Sequence, residues 1–352
     1  MESKLAPPSR LPIASSPLPE APFFDSAQNA WVLSRYRDVL AALREPALRQ
    51  DGPERAPAQV RTNLLNTLSS SKLSEWEKQC EPLAARIIEE LPDGPVDLVS
   101  EILRPWSHAV TVNGLGLDAA AGRKLATLQS LLNGAAADPL AQKGSRRAFK
   151  SLFVAVERRI AKARLQRLLR SVRVRGAHSL FLGLSQTLPD FLANAWLVLL
   201  QHPLQFARLR AEPDLVPKTI EELLRYSGPV HTLVRKAEQA LELAGVPIAH
   251  GDRVILKVAL ANRDPEHFTD PNSFDITRHN AGHLALGAGP HSCVGAQLVR
   301  VAAISATRAF AKKLAGAELV EPVVWRRGST LDSPSFLRVR YESEAIKFPS
   351  PG

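Results

Sequence analysis

The sequence predicts a mainly helical fold with a small β portion. Apolar residues recur at helical spacing over residues 75–91 and 98–115, and another apolar-periodic run covers 296–314. Strand-like pieces are short and are concentrated in residues 241–258, where glycine and proline stand at turn positions. The chain has 352 residues, of which 45% are hydrophobic, so it can bury a sizeable core.

The chain is strongly basic, with a formal net charge of +10. Much of the excess lies between Lys143 and Arg175, where Glu157 is the sole acid. We interpret this segment as a solvated helical face; docking of an acidic electron-transfer protein or another anionic surface is the second interpretation. Nucleic acid is not expected as a partner, because aromatic residues for base stacking are scarce there.

Cys80 and Cys293 are the only cysteines, so a disulfide framework is not expected and a reducing, cytoplasmic compartment fits the sequence. No run of 18 apolar residues exists, so we expect no transmembrane anchor. Residues 1–22 are rich in Pro and Ser and carry no apolar signal core. We therefore expect them to form a flexible lead-in to a single domain over residues 23–352.

The first element is a strand that passes into a helix, over residues 30–43. The next piece, residues 46–60, is rich in Pro and polar residues and is predicted to be a loop. Arg61 then begins a helical pattern, and a basic residue at a helix start is usually only a surface charge. Residues 118–176 are also expected to be helical.

A long, largely apolar helix is predicted over residues 177–200. Pro189 interrupts it: because proline has no N–H, the carbonyl of Ser185 loses its helical partner and the helix should kink or widen. Asp190 is expected to be a capping or ion-paired residue; the alternative is a proton route to Thr187, three residues earlier.

Glu222 and Arg225 share one face of a helical pattern over residues 219–226. Such a pair is common on surfaces and then contributes less than about 1 kcal/mol. An extended, mostly apolar run follows over residues 229–234 and ends at Arg235.

The most informative stretch is the glycine-rich loop from His283 to Gly295, which leads directly into the 296–314 helix. Its glycines suggest unusual backbone angles and a close approach to something flat and bulky. Cys293 stands where the loop becomes a helix, and the free N–H groups and dipole at a helix start favour a thiolate. A thiolate is one of the known proximal ligands of haem iron. The alternative is an ordinary turn in which Cys293 is a small buried hydrophobe.

The spacing Gly-x-Gly-x-His-x-Cys-x-Gly in this loop resembles the haem-ligand loop of the cytochrome P450 superfamily, and the similarity covers about residues 31–341. The resemblance implies a P450-like haem-thiolate domain, with haem b between the long central helix and the Cys loop and Cys293 as the iron ligand. The family usually has Phe where this chain has Leu286, so the redox tuning of the sulfur is expected to differ. The loop residues expected at the cofactor are Leu286, Gly287, Gly289 and Gly295.

The same resemblance implies three contacts to the haem propionates, from Arg61, Arg235 and His291. The family often has His four residues before the first of these, and this chain has Pro57 there, so one contact is expected to be missing.

On the opposite face of the haem, the resemblance implies an oxygen-handling role for Thr187. The family normally has Gly, a variable residue and an acid before this threonine; here they are Leu184, Ser185 and Gln186. A neutral amide cannot readily release and reload a proton, so Gln186 is an atypical catalytic neighbour. The alternative for Thr187 is a helical threonine bonded to its own backbone.

The family also pairs Glu222 and Arg225 with a later arginine, here Arg278, to brace the Cys loop; these residues are structural. His231, within the expected pocket, would orient a substrate oxygen or merely face backbone. The substrate pocket is expected to be lined by Leu180, Phe181, Leu184, Val230, His231, Thr232 and Leu233.

Three functions are consistent with the sequence. The first is a monooxygenase that inserts dioxygen-derived oxygen into a small hydrophobic organic substrate, such as one of specialised metabolism, with electrons from a separate ferredoxin- or flavodoxin-type donor. No flavin- or nicotinamide-binding fingerprint is present, so electrons must come from elsewhere. The second keeps the haem but uses peroxide, or catalyses oxidative coupling, rearrangement or dehydration. The third is a degenerate family member that supports a partner enzyme.

Overall fold

The computed structural model describes residues 19–50, 70–91, 94–114, 122–123, 183–279, 282–327 and 331–341. Arg61, Leu180 and Phe181 lie outside these residues, as does the basic segment from Lys143 to Arg175. No helix among the described residues is both long enough and apolar enough to span a membrane.

The N-terminal part contains β1 (Phe23–Asp25), β2 (Ala30–Leu33) and α1 (Tyr36–Arg44), so the predicted passage from strand to helix over residues 30–43 is confirmed. The predicted loop at 46–60 is wrong at its start, because Leu48–Gln50 form β3. This strand pairs antiparallel with β5 (Leu233–Ala237), far along the chain. Pairing with a distant strand overrides the weak local signal of so short a segment.

Five short strands form one sheet in the order β1-β2-β8-β5-β3, where β8 is Arg253–Leu256. β2 and β8 run parallel, and the other neighbours are antiparallel. Two further strands, β6 (Leu241–Leu243) and β7 (Val246–Ile248), pair only with each other. The strand-and-turn pattern predicted for residues 241–258 is therefore confirmed.

The predicted core helices are present as α2 (Ser70–Glu89) and α3 (Arg104–Gly114). One difference is that Leu98–Leu103 form a π-helix directly before α3. The Asp97 side chain caps it by accepting from the backbone N–H groups of Val99 and Ser100, at 3.2 Å each.

A second π-helix, Gly183–Thr187, leads into α4 (Leu188–Gln201). Both π-helices end two residues before a proline, Pro105 and Pro189. Proline removes one N–H from the helical ladder, so a carbonyl one turn earlier is left without its usual partner and the backbone widens. The predicted widening near Pro189 is confirmed.

The remaining helices surround the main core. α4 is buried along almost its whole length, and its Trp196 ring stacks on Phe310 with centroids 4.1 Å apart. Phe310 belongs to α8 (Ala296–Lys313), the helix that follows the Cys loop. The other helices after α4 are α5 (Pro203–Ala211), α6 (Val216–Ser227) and the single turn α7 (Val258–Ala261).

A three-stranded sheet in the order β4-β10-β9 covers one side of the core. Its strands are β4 (Val96–Asp97), β9 (Glu318–Arg327) and β10 (Asp332–Arg340). The backbone N–H of Leu337 in β10 donates to the Asp97 side chain at 2.8 Å, so this sheet is tied to the first π-helix. A second, smaller core lies between α1 and the five-stranded sheet.

Candidate functional site: the Cys293 loop and its surroundings

The loop that carries Cys293 is closed by its own backbone. The N–H of Cys293 donates to the carbonyl of Leu286 at 2.7 Å, and the N–H of Gly287 donates to Leu284 at 2.9 Å. Gly287 has φ 69° and Gly289 has φ 63°, a region that favours glycine, whereas Gly295 has φ −86°. The expectation of unusual backbone angles is therefore confirmed at two of the three glycines.

The close approach at Gly289 is to protein. A β-carbon there would lie 2.9 Å from the α-carbon of Arg44 and 2.9 Å from the carbonyl oxygen of Leu43, at the end of α1. At Gly287 it would meet the loop's own backbone, 3.4 Å from the carbonyl oxygen of His291. The two glycines thus let the loop fold on itself and against the end of α1.

The two cysteines have different surroundings. Cys80 is buried in the main core, and burial together with the charge of Glu77 raises the pKa of its thiol to about 12. Cys293 is partly exposed in the loop, two residues before the N-cap of α8. The thiolate chemistry that the sequence suggests is therefore available only at Cys293.

Arg235, on β5, is a buried cation. The residue is 4% exposed, and burial alone lowers the pKa of its guanidinium. One nitrogen donates to the carbonyl of Val234 at 3.0 Å, while Nε has no hydrogen-bond partner among the described residues. No acidic neighbour is found among the residues that the structure describes, and a buried positive charge without one is costly. The site therefore fits an added anionic group.

His291, the other predicted propionate contact among the described residues, is half-buried in the 3-10 turn Gly289–His291. The adjoining loop residue Leu286 packs against the main core with its side chain.

Thr187 and Gln186 end the second π-helix, and both are half-buried. Thr187 is the N-cap residue of α4, but its hydroxyl makes no capping hydrogen bond. The Nε2 atom of Gln186 is fully buried without a hydrogen-bond partner among the described residues. Leu184 is 2% exposed in the main core, and its carbonyl accepts a hydrogen bond from Ser107.

Asp190 is an ion-paired residue, as the sequence favoured. It is 3% exposed and accepts a hydrogen bond from Arg326 of β9. Burial raises the pKa of its carboxyl, and the positive charges of Arg326 and Arg104 oppose that rise. Asp190 therefore interacts with β9 through Arg326 and with the start of α3 through the charge of Arg104.

Residues Val230 to Leu233, predicted to line the pocket, form the entry to β5. Val230 makes an isolated bridge to Leu331, and Val230 and His231 line a small cavity with Asn194, Tyr226 and Trp325. The Nδ1 atom of His231 lies 3.4 Å from a carboxylate oxygen of Asp332. Burial lowers the pKa of His231, and Asp332 opposes this. Its observed partner is thus a carboxylate. Thr232 is buried, and Leu233 packs against the second core.

The structure brings Glu222, Arg225 and Arg278 together. Arg225 donates to both carboxylate oxygens of Glu222, at 2.7 and 2.8 Å, and both side chains are 0% exposed. Arg278 Nε donates to the same carboxylate at 3.1 Å. Sequence reasoning missed Asn262, whose carbonyl accepts from Arg225 at 2.9 Å and whose side chain accepts from the N–H of Leu284 at 2.7 Å. Asn262 therefore connects this cluster to the Cys loop.

A second cluster was also missed. Glu221 of α6 accepts hydrogen bonds from Arg300 of α8 at 2.6 and 2.9 Å, and its Oε2 lies 3.1 Å from Nε2 of His283. Burial would raise the pKa of Glu221, but the hydrogen bonds from His283 and Arg300 outweigh it and lower the value to about 2. The only sequence signal was a second glutamate beside Glu222.

Comparison with known proteins agrees with this architecture. The sequence profile of the family described as Cytochrome P450 matches residues 207–303. Cytochrome p450 CYP199A2 from Rhodopseudomonas palustris is 39% identical over 149 residues, which cover 42% of this chain and 36% of that relative. The 6-deoxyerythronolide B hydroxylase from Saccharopolyspora erythraea is 27% identical over 376 residues, or 92% of this chain and 93% of that relative.

The crystal structure of the versatile cytochrome P450 enzyme CYP109B1 from Bacillus subtilis has the same fold, with a TM-score of 0.84 over 91% of this chain and 95% of that one at 24% identity. The family profile, these two relatives and the shared fold all indicate the cytochrome P450 superfamily. The mainly helical P450 fold with a small β portion, expected from the sequence, is confirmed.

The superfamily is one of haem-thiolate oxidoreductases, and the described residues fit such a cofactor. Arg235 is a buried cation whose Nε has no partner within the described part of the chain, which suits a propionate. Cys293 is the cysteine outside the core, on a backbone-closed loop before α8. The donor set therefore matches an iron porphyrin with one thiolate ligand.

Proposed function

We propose that this protein is a haem-thiolate monooxygenase of the cytoplasm, with a single haem domain over residues 23–352. The observation that carries the proposal is Cys293, presented by a loop closed through its own N–H to Leu286 while the other cysteine is buried as an inert thiol. Cys293 would ligate iron protoporphyrin IX, and Arg235, His291 and Arg61 would hold its propionates. When bound, this group supplies the activation of dioxygen for insertion into an organic substrate.

The chain's own contribution on the oxygen side would come from the π-helix. Thr187 ends the widened segment, and its hydroxyl is not used to cap α4. A hydroxyl can both donate and accept, so Thr187 would orient water and oxygen atoms and pass a proton. Gln186 can hold a water with its buried amide but cannot carry a proton as a carboxyl group does.

The substrate would be a small hydrophobic organic molecule. Val230 and His231 border a small cavity, and Leu233 adds apolar surface at the start of β5. The His231–Asp332 pair gives this region one polar feature that would orient a substrate oxygen. The relative from Saccharopolyspora erythraea is named a 6-deoxyerythronolide B hydroxylase, which is consistent with a substrate from specialised metabolism.

Electrons would come from a separate ferredoxin- or flavodoxin-type donor. The net charge of +10 supports this part of the proposal, because an acidic donor would be steered to a basic protein.

A second function is favoured by Gln186. Gln186 has an amide where the family has an acid, so delivery of protons to bound oxygen would be slow. A peroxide-driven oxidation does not depend on this proton delivery. The same haem site would then use hydrogen peroxide directly.

Isotope incorporation distinguishes the two functions. The purified protein is supplied with a ferredoxin and its reductase under labelled dioxygen, and in parallel with labelled hydrogen peroxide alone, across a panel of hydrophobic substrates. If the protein is a monooxygenase, label from dioxygen enters the product in the reductase-driven reaction faster than label from peroxide does in the parallel reaction. Product formed only with peroxide supports the second function and contradicts the first.

A further inference from the structure

Glu221 connects the two sides of the Cys loop. Its carboxylate accepts two hydrogen bonds from Arg300, at 2.6 and 2.9 Å, and lies 3.1 Å from the Nε2 atom of His283. His283 precedes Cys293 in the chain and Arg300 follows it on α8. One carboxylate on α6 thus holds the loop before and after its cysteine, a group that we call the Glu221 clamp (Glu221, His283 and Arg300).

The geometry of the clamp is well defined. The N–H of Ala285 donates to Nδ1 of His283 at 3.3 Å, so the ring proton is on Nε2, where it is donated to Glu221. The His283 side chain is only 4% exposed. Arg300 uses two nitrogens on the two oxygens of one carboxylate, which is the strong, orientation-specific form of this contact.

Arg300 is also electrically close to Cys293. The hydrogen bond to Glu221 raises the pKa of Arg300, burial opposes that rise, and the negative charge of Cys293 adds to it. Arg300 lies near the start of α8, five residues after its N-cap Gly295.

We propose that the Glu221 clamp is a positioning device for Cys293, in which Glu221 orients the positive charge of Arg300 toward the cysteine sulfur and thereby sets the reduction potential of the bound iron. This inference rests on the proposed haem-thiolate function. Hydrogen bonding and charge around the sulfur are known determinants of the potential at such centres. His283 helps to fix the position of Glu221 through its Nε2 contact.

The proposal predicts shifts of opposite sign. Reduction adds an electron, so a nearby cation favours the reduced form and a nearby anion disfavours it. Arg300→Gln removes the cation and leaves the Glu221 anion, which moves the potential to a more negative value. Glu221→Gln leaves Arg300 uncompensated, which moves it to a more positive value. The double variant removes both charges and should lie between the two single variants.

A purely structural brace would behave differently. Either single substitution would then loosen the same loop, so both variants would shift the potential in the same direction. A matched control exists on the same helix: Arg308 pairs with Glu77 of α2 at 3.3 Å, and neither residue adjoins the Cys loop. Arg308→Gln should leave the potential unchanged.

The test measures the midpoint reduction potential and the carbon monoxide spectrum of the haem-loaded wild type, the two single variants, the double variant and the control. Arg300→Lys is included, because it keeps the charge and should hold the potential near that of the wild type even with weaker bonding to Glu221. If Arg300→Gln binds no haem, Glu221→Gln still tests the sign of the shift, and Arg300→Lys still tests whether the charge is what matters.

A more negative potential for Arg300→Gln together with a more positive one for Glu221→Gln supports the proposal, and the reversed signs overturn it. Shifts of the same sign, or shifts no larger than that of the control, overturn it while leaving the haem-thiolate function in place. A wild-type protein that binds haem without the spectrum of a thiolate-ligated complex contradicts the proposed function itself, and the inference fails with it.

Discussion

At the scale of single residues, the buried guanidinium of Arg235 is the clearest sign of an anion-binding site. The residue is 4% exposed and has no acidic neighbour in the described ranges, so its charge destabilises the protein unless an anion joins it. Lys236, the next residue of β5, is exposed, so the same strand presents a matched pair of cations, one buried and one in solvent.

We expect Arg235→Met to weaken haem retention at least about tenfold, since a charged hydrogen bond contributes roughly 1.5–3 kcal/mol. The apoprotein should be no less stable than the wild type, because the variant removes a buried, uncompensated charge. Haem transfer to apomyoglobin and urea unfolding of the apoprotein measure the two effects. Lys236→Gln is the control, and equal haem loss in both variants would contradict this role for Arg235.

Gln186 gives a second prediction at this scale. General acid–base groups contribute about 10²–10⁴-fold to rates, so Gln186→Glu should increase reductase-driven turnover by tenfold or more if proton supply is limiting. Peroxide-driven turnover should change little, because that route does not depend on the same proton delivery. Gln186→Met is the control for side-chain volume; an equal gain in that variant would refute the proton argument.

At the scale of elements, α6 joins the helical core to the Cys loop through two adjacent glutamates. Glu222 binds Arg225 and Arg278, and Glu221 binds Arg300 and His283. The pattern of spacing along α6 predicted the Glu222–Arg225 pair, because residues three apart share a face. It did not predict the Glu221 cluster, whose members are 62 and 79 positions apart in the chain.

We expect Glu222→Gln to destabilise the protein by about 3–5 kcal/mol, because it leaves the fully buried Arg225 without its carboxylate. The exposed pair between Arg208 and Glu212 is a control of the same residue types, and Glu212→Gln should cost less than about 1 kcal/mol. Urea unfolding at neutral pH measures both. A loss below 1 kcal/mol for Glu222→Gln would show that the ion pair is replaceable.

Elements that are set by residues close in sequence could be predicted, whereas elements that depend on pairing between distant segments could not. Pro189 removes an N–H from its own helix, so the widened backbone before α4 followed from the sequence. The strand β3 could not be predicted, because it exists through pairing with β5 nearly two hundred residues later. The contact of His231 with Asp332 likewise depends on the approach of β10 to the start of β5.

The candidate site shows the same division. The spacing around Cys293 predicted the loop and its candidate iron ligand, since the motif is contiguous in sequence. The space that Gly289 makes for the end of α1 could not be predicted, because only the folded chain brings these segments together. The bridging role of Asn262 between Arg225 and Leu284 could not be predicted, because these partners lie 37 and 22 positions away in the chain.

At the scale of the whole molecule, Glu221 makes stability depend on pH. Its pKa of about 2 in the folded protein lies below the ordinary value of 4.5, so the unfolded chain binds the proton more tightly. Its contribution is complete above about pH 4.5 and is lost as the pH falls toward 2.

We expect this carboxylate to contribute about 2 kcal/mol at neutral pH, after allowance for its partial exposure. The free energy of unfolding of wild type should therefore fall more steeply between pH 5 and pH 3 than that of Glu221→Gln. Urea titrations at a series of pH values measure the difference in slope. Parallel curves for the two proteins would contradict the assigned role of Glu221.

Ligation of haem iron by the Cys293 thiolate is read directly from the absorbance spectrum of the reduced protein under carbon monoxide. We expect the strongly red-shifted band of a thiolate-ligated complex, which Cys293→His should abolish and Cys80→Ser should leave intact. Absence of haem after expression with adequate haem supply would contradict both enzymatic functions and leave a partner-binding role. A red-shifted band that survives Cys293→His would contradict the ligand assignment.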